Sequence, residues 1–214
     1  MTRAVIAVLI ALLPAIACGG SPSAPLGPTA ATVAVQPGDL PSGTVKCDIS
    51  GDIDSFLNKE KTADPSTYQS TKTEWDDARS RGATSASVAI YTDSAARCDA
   101  IKGKTADLGA ATYRLVVNFV IQFKDETSAA KGYTTEGVFN ISASELRRSS
   151  GQRVVEGTKT GLSANSIVLN TVIANQTYFI AVWQKKVFMV ILAVLNVDAA
   201  AAKKVAASEN ERIK

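Results

Sequence analysis

Hydrophobic and polar residues alternate strictly over residues 113–123. The odd-numbered positions are all apolar or aromatic, whereas Arg114, Asn118 and Gln122 share the even-numbered side. A strand with this period has one buried face and one partly solvated face, which is typical of an antiparallel sheet. Residues 166–174 repeat the arrangement, with Asn170 on the more polar side. Both segments are therefore predicted to be strands of such a sheet.

The C-terminal third of the chain predicts a meander. Short polar turns at 175–176 and 184–186 separate the apolar segments 166–174, 176–183 and 187–197. Turns this short indicate hairpins. The apolar run at 187–195 is nine residues long, whereas a membrane-spanning helix needs about 20 residues, so a central strand is predicted. Residues 198–213 are predicted to form a terminal helix that covers the sheet.

Helices are predicted at 52–60 and 65–81. Asp64 and Pro65 suit the start of the second helix, and Trp75 lies on its apolar stripe. Trp75 is interpreted as a core anchor, with ligand stacking as the alternative. Three apolar strands end at Asp93, Asp125 and Asp198, each able to cap an alanine-rich helix. The predicted fold class is α+β: an antiparallel sheet of four to six strands, helices mainly on one face, and a C-terminal meander before the terminal helix.

The N-terminal segment has the pattern of an export signal. Arg3 precedes an apolar run at 4–13, and Pro14 leads into Ala15-Ile16-Ala17-Cys18. These four residues resemble the lipobox of bacterial lipoproteins, in which the cysteine takes a diacylglyceryl group and becomes the first mature residue. The lipobox usually opens with Leu, and here Ala15 holds that place. Ordinary secretory cleavage at the same bond is therefore the alternative.

The resemblance implies a lipid anchor at Cys18 on the extracytoplasmic side of a bacterial membrane. Residues 1–17 would then be the signal peptide. Residues 18–37 are rich in Gly, Ser, Pro, Ala and Thr, and we expect them to form a flexible tether. A single α+β domain is predicted over 38–214. Its element order resembles that of extracytoplasmic sensor-type domains and small bacterial lipoproteins.

The remaining cysteines, Cys47 and Cys98, are predicted to form a disulfide, because paired cysteines in an extracytoplasmic compartment are usually bonded. Two buried free thiols are the alternative. The sequence contains no histidine, which excludes the usual Ser-His-Asp and Cys-His nucleophilic sites and histidine-containing metal sites. Asp52 does not open an EF-hand loop, because Phe56 and Leu57 occupy its fifth and sixth positions. We therefore expect no enzymatic activity, no metal and no cofactor.

The candidate functional surface is the polar side of the predicted sheet. Arg114, Asn118, Gln122 and Asn170 would point to it, with valines between them. If helices leave this face open, it could bind a ligand or a partner; ordinary solvation of one sheet face is the alternative. After removal of Arg3, 22 basic and 20 acidic residues give a net charge of +2, which does not favour nucleic acid.

These features predict a lipid-anchored, non-enzymatic binding or sensing lipoprotein. The alternative is a structural or assembly factor that contacts another envelope protein. The expected partners are the membrane, through the lipid on Cys18, and a small ligand or an envelope protein of unknown identity.

Overall fold

The computed structural model describes residues 27–101, 111–150 and 153–214, except for the side chains of residues 149 and 150. The predicted signal peptide, Cys18 and the first part of the predicted tether lie outside the described residues. Within the described ranges, no helix has the length and hydropathy needed to cross a membrane.

Seven helices and eight strands are assigned in these ranges. The helices are α1 (Ala30–Val33), α2 (Ile53–Ala63), α3 (Pro65–Ser80), α4 (Ala95–Ile101), α5 (Glu126–Thr135), α6 (Ala143–Ser150) and α7 (Ala199–Arg212). The strands are β1 (Val45–Lys46), β2 (Gly51–Asp52), β3 (Ala83–Thr92), β4 (Leu115–Phe123), β5 (Val154–Glu156), β6 (Asn165–Ile173), β7 (Gln176–Lys185) and β8 (Phe188–Leu195). Short 3-10 turns occupy Pro37–Asp39 and Gly157–Thr160.

The strands form one antiparallel sheet in the order β1-β3-β4-β8-β7-β6-β5, with β2 also paired to β3. The α+β class and the final meander of β6, β7 and β8 are confirmed. The β6–β7 hairpin turns at Ala174 and Asn175, both of which have positive φ, as a type I′ turn requires. The sheet has eight strands rather than four to six. β1, β2 and β5 span only two or three residues each, too few to show a period.

Most helices pack on one face of the sheet, as predicted. Helices α2 to α6 bury their apolar side chains there, against the odd-numbered residues of β4. Phe119 lies in this core, with its ring edge-on to Phe56 at 5.8 Å and to Phe139 at 5.1 Å between centroids. Trp75 is also buried in this core, which agrees with its interpretation as an anchor.

Helices α1 and α7 cover much of the opposite face. Residues 29–37 were assigned to the tether, but Ala30, Val33, Ala34 and Val35 are buried against the sheet. Thr29 caps α1 through a capping box with Thr32. The packed domain therefore includes residues from Thr29 onward, and a domain start at residue 38 is wrong. A four-residue helix of small side chains shows no readable periodicity, which explains the misassignment.

The predicted disulfide is confirmed, because Cys47 and Cys98 are bonded with their Cα atoms 5.2 Å apart. Cys47 follows β1 and Cys98 lies on α4, and both are buried in the core on the helix-rich face. The bond thus links the sheet edge to the helix that follows β3.

Candidate ligand groove

Asn118, predicted to face an open surface, is fully buried beneath α1 and α7. Its Oδ1 accepts a hydrogen bond from the Val35 backbone N–H at 2.9 Å. Its Nδ2 donates to Glu209 Oε1 at 2.9 Å and to the Ile191 carbonyl at 3.3 Å. Asn118 therefore holds the N-terminal segment and α7 onto the sheet, and it is not part of a ligand surface.

Arg212 and Tyr91 also hold the N-terminal segment against the sheet and α7. Arg212 forms a bidentate pair with Asp39 at 3.0 and 2.9 Å and also donates to the carbonyls of Val33 and Ala34, both at 3.0 Å. The Tyr91 hydroxyl donates to the Val35 carbonyl at 2.8 Å. Burial raises the pKa of Tyr91 to about 12. The middle of the predicted polar face is thus sealed by a buried polar network.

The other three predicted residues do not converge. Arg114, just before β4, points a guanidinium nitrogen toward the Ser42 carbonyl at 3.5 Å. At the far end of β4, Gln122 Oε1 accepts from the Ser85 hydroxyl at 3.2 Å. Asn170 lies on β6, on the other side of the sheet centre, and is exposed. The four side chains therefore do not form one site, because the strand spacing and the covering helices keep them apart.

An open groove lies where α7 stops covering the sheet, between α7 and strands β5 and β6. We call it the α7 groove. It has a volume of about 480 Å³, within the range of about 300–1,000 Å³ typical of small-molecule sites. It is lined by Arg153, Val155, Lys159, Thr160, Gly161, Leu162, Val168, Asn170, Phe179, Lys203, Ala206 and Ala207.

The α7 groove has an apolar floor and a cationic rim. Val168, Phe179 and Ala206 form the floor and are buried in the core between α7 and the sheet. Arg153, Lys159 and Lys203 lie at the rim and are exposed. Among the described residues that line the groove, none is acidic. The arrangement suits a ligand with an apolar part and a negative charge.

Local hydrogen bonds fix the groove wall formed by the 3-10 turn after β5. The turn ends at Gly161 with φ of 79°, a conformation that favours glycine. Thr160 and Ser166 both donate to the Gly157 carbonyl, at 2.9 and 3.0 Å. Asn210 of α7 donates to the Leu162 carbonyl at 3.0 Å. These bonds hold the turn at a fixed position against α7.

An acidic cavity lies on the helix-rich side, between α3 and the segment after α5. It has a volume of about 290 Å³, and Glu74, Arg81, Glu136 and Glu145 are among its lining residues. Arg81 Nη1 donates to Glu136 Oε1 at 2.5 Å. Burial raises the pKa of Glu74 to about 7, with a further contribution from the negative charge of Glu136. In the part of the chain that the structure describes, no three His, Cys, Asp or Glu residues are placed to hold a metal ion.

The α7 groove is the stronger candidate of the two, because it combines an apolar floor with charged groups from separate elements. Sequence reasoning placed Asn170 and the neighbouring Val168 on this face but missed Arg153, Lys159 and Lys203. The three cations come from the residue before β5, the 3-10 turn and α7. No local pattern unites them, because Lys203 is 50 residues from Arg153 in the sequence.

Comparison with known proteins identifies no family. No protein-family model matches the chain, and no curated protein matches it. Among solved structures, the extracellular domain of PknH from Mycobacterium tuberculosis is similar, with 14% sequence identity and a TM-score of 0.42. The match covers 62% of this chain and 66% of that domain, so it spans just under two thirds of the neighbour. At this identity and TM-score, the similarity does not indicate a function.

Proposed function

We propose that this protein is a lipid-anchored extracytoplasmic lipoprotein that binds a small molecule in the α7 groove and does not transform it. The observation that carries the proposal is the groove itself. It is preformed, measures about 480 Å³, and combines a buried apolar floor with polar groups at its rim. Small-molecule sites have this composition.

The cellular location rests on two features. Residues 15–18 resemble a lipobox, and a buried Cys47–Cys98 bond suits an oxidising compartment outside the cytoplasm. Because the described packed structure already includes Thr29, at most about ten residues separate Cys18 from the domain. The domain would therefore be held close to the membrane surface, within about 40 Å even if that segment were fully extended.

Binding without catalysis is favoured by the chemistry of the lining side chains. The titratable groups of the groove are Arg153, Lys159 and Lys203, and no described carboxylate or thiol stands beside them to act as general base or nucleophile. The hydroxyl of Thr160 is already engaged, because it donates to the Gly157 carbonyl and accepts from the Leu162 N–H. The three cations would therefore orient a ligand by charge and hydrogen bonding.

Native mass spectrometry tests the binding proposal. The protein is purified from its own envelope in mild detergent, and a non-covalent small-molecule adduct is expected. Ala207→Trp, which places an indole in the groove, should remove the adduct. Ala200→Trp, on the same helix but not lining the groove, should retain it. An adduct that survives Ala207→Trp, or wild-type protein that carries none, would refute the proposal.

Fractionation tests the anchor. Cys18→Ala should leave the protein exported but move it from the membrane fraction to the soluble fraction, because a diacylglyceryl group supplies the two chains that stable anchoring needs. Persistence in the membrane fraction after signal-peptide removal would mean that another feature anchors the protein.

Assembly with another envelope protein is the second candidate function. The β6–β7 hairpin tip favours it, since Val172 and Ile173 are 65% and 50% exposed. Because the two residues are consecutive on β6, their side chains point to opposite faces of the sheet, and both sides of the hairpin tip offer apolar surface to a partner. If assembly is the function, Val172→Ser with Ile173→Ser should abolish crosslinking to an envelope protein while the groove adduct is unaffected.

A further inference from the structure

We infer that the α7 groove binds a single-chain anionic amphiphile, with an acyl chain on the floor and a carboxylate or phosphate at the rim. This inference rests on the proposed binding function and names the chemical class of the ligand. It depends on three features: the floor of the groove, its rim and the exposed face of β6 beside it.

The floor is suited to a hydrocarbon chain. Val168 of β6, Phe179 of β7 and Ala206 of α7 are 8%, 3% and 1% exposed, so the surface they offer to the groove is backed by packed core. Each methylene group that moves from water onto such a surface increases the affinity about fourfold. Small side chains at Ala206 and Ala207 keep α7 from filling the space above the sheet.

The rim is suited to an anion. Several arginines elsewhere in the chain pair with carboxylates, as in Arg81–Glu136, Arg147–Glu156 and Arg212–Asp39. Arg153, Lys159 and Lys203 form no ion pair with a described residue. Three exposed cations from separate elements thus surround one cavity in which no described lining residue is acidic. A ligand anion would supply the missing negative charge.

Beyond the groove, the same face of β6 leads toward the hairpin tip. Side chains two residues apart on a strand share a face, so Val168, Asn170 and Val172 line one side of β6. Val172 is 65% exposed, and Val155 on the adjacent strand is 44% exposed. No described residue forms a hydrogen bond with the Asn170 side chain, which leaves its amide available to a ligand. A chain that extends past the floor would therefore meet further apolar surface.

Isothermal titration calorimetry on the mature chain from residue 18, carrying Cys18→Ser so that no lipid of its own competes, tests the inference. The probes are dodecanoate and dodecyl phosphate below their micelle concentrations, neutral monolauroylglycerol, acetate, and inorganic phosphate. We expect saturable one-to-one binding of both anionic amphiphiles, at least tenfold weaker binding of monolauroylglycerol, and no measurable binding of acetate or phosphate. The ratio of the two amphiphile affinities distinguishes a fatty-acid carboxylate from a phosphate head group as the preferred ligand.

Matched variants locate the site. Lys203→Ala should weaken dodecanoate binding about fivefold, the effect of losing one partly solvated charge interaction. Lys204→Ala changes the neighbouring exposed lysine outside the groove and should have no effect. The double variant Arg153→Ala with Lys203→Ala should weaken binding further, whereas Ala207→Trp should abolish it and Ala200→Trp should not.

Several outcomes would overturn the inference. Equal affinity for monolauroylglycerol and for dodecanoate would show that the charge of the ligand is irrelevant. Equal effects of Lys203→Ala and Lys204→Ala would show that the positive charge acts through the general surface potential and not at the groove rim. Binding to phosphatidylglycerol vesicles without binding of free amphiphiles would make the rim a membrane-contact surface. A dimer that dissociates with Ala207→Trp would make the groove an interface between copies. If amphiphiles do not bind but the native adduct persists, only the ligand class is wrong; if both are missing, the binding function fails as well.

Discussion

Replacement of Asn118 with alanine should destabilise the protein strongly, although the residue is polar and lies on the face predicted to be open. The side chain is fully buried and forms three hydrogen bonds, to Val35 N–H, Glu209 and the Ile191 carbonyl. Alanine would leave the Val35 N–H without its acceptor and Glu209 Oε1 without its donor. Glu209 Oε2 already has no partner among the described residues.

The expected magnitude follows from these two groups. A buried polar group that loses its partner costs about 1–3 kcal/mol, so two such groups give a loss of about 4 kcal/mol in the free energy of unfolding. Since a domain of this size has a stability of about 5–15 kcal/mol, the variant should still fold. Urea unfolding followed by tryptophan fluorescence measures the loss, and hydrogen exchange at Val35 should accelerate.

Asn170→Ala is the matched control. Asn170 is exposed on the same face of the sheet, so its replacement should change the free energy of unfolding by less than about 0.5 kcal/mol. A loss below about 1 kcal/mol for Asn118→Ala, or equal losses for the two variants, would refute the buried network and the docking of the N-terminal segment.

Three further predictions concern stability. Phe119→Ala should lower the free energy of unfolding by about 3–5 kcal/mol, because it leaves a cavity in the core; a loss below about 1 kcal/mol in urea unfolding would contradict its place there. Reduction of Cys47–Cys98 should lower the free energy of unfolding by about 4 kcal/mol, and unfolding curves that coincide with and without reductant would contradict this. Burial raises the pKa of Glu209. The hydrogen bond from the Asn118 amide and the charge of Arg212 lower this pKa, but they offset only part of the effect of burial. The stabilisation from protonated Glu209 is therefore fully present below the unfolded-state pKa of about 4.3 and is lost as the pH rises toward the folded-state pKa. Glu209→Gln should remove this part of the pH dependence, and identical pH profiles of the two proteins would show that Glu209 does not titrate as expected.

The sequence was sufficient to predict the parts of the fold that have a long, clear period. Apolar and polar residues alternate along strand β4, and short polar turns separate the three strands of the meander, β6 to β8. Asp125 and Asp198 cap α5 and α7 as predicted. The short strands β1, β2 and β5 and the helix α1 could not be predicted, because elements of two to four residues show no period.

The candidate site was harder to predict than the fold. Alternation identifies which residues share a sheet face, but it does not identify which part of that face a helix will cover. Asn118 and Asn170 have equivalent patterns in the sequence, yet α1 and α7 bury the first and leave the second exposed. Only the packing of α7 decides between them. For the same reason Lys203, a helix residue distant in sequence, could not be linked to β6.

The most direct test of the account is to locate the bound ligand on the protein. Two-dimensional NMR of the ¹⁵N-labelled mature chain during titration with dodecanoate maps every affected backbone amide. The account predicts saturable shifts that cluster at the groove, above all at Gly161, Asn170 and Ala207. Gly51, on β2 near the other end of the sheet, should be unaffected. Shifts confined to Val172 and Ile173, or spread over the whole surface without saturation, would contradict the assignment of the α7 groove as the binding site.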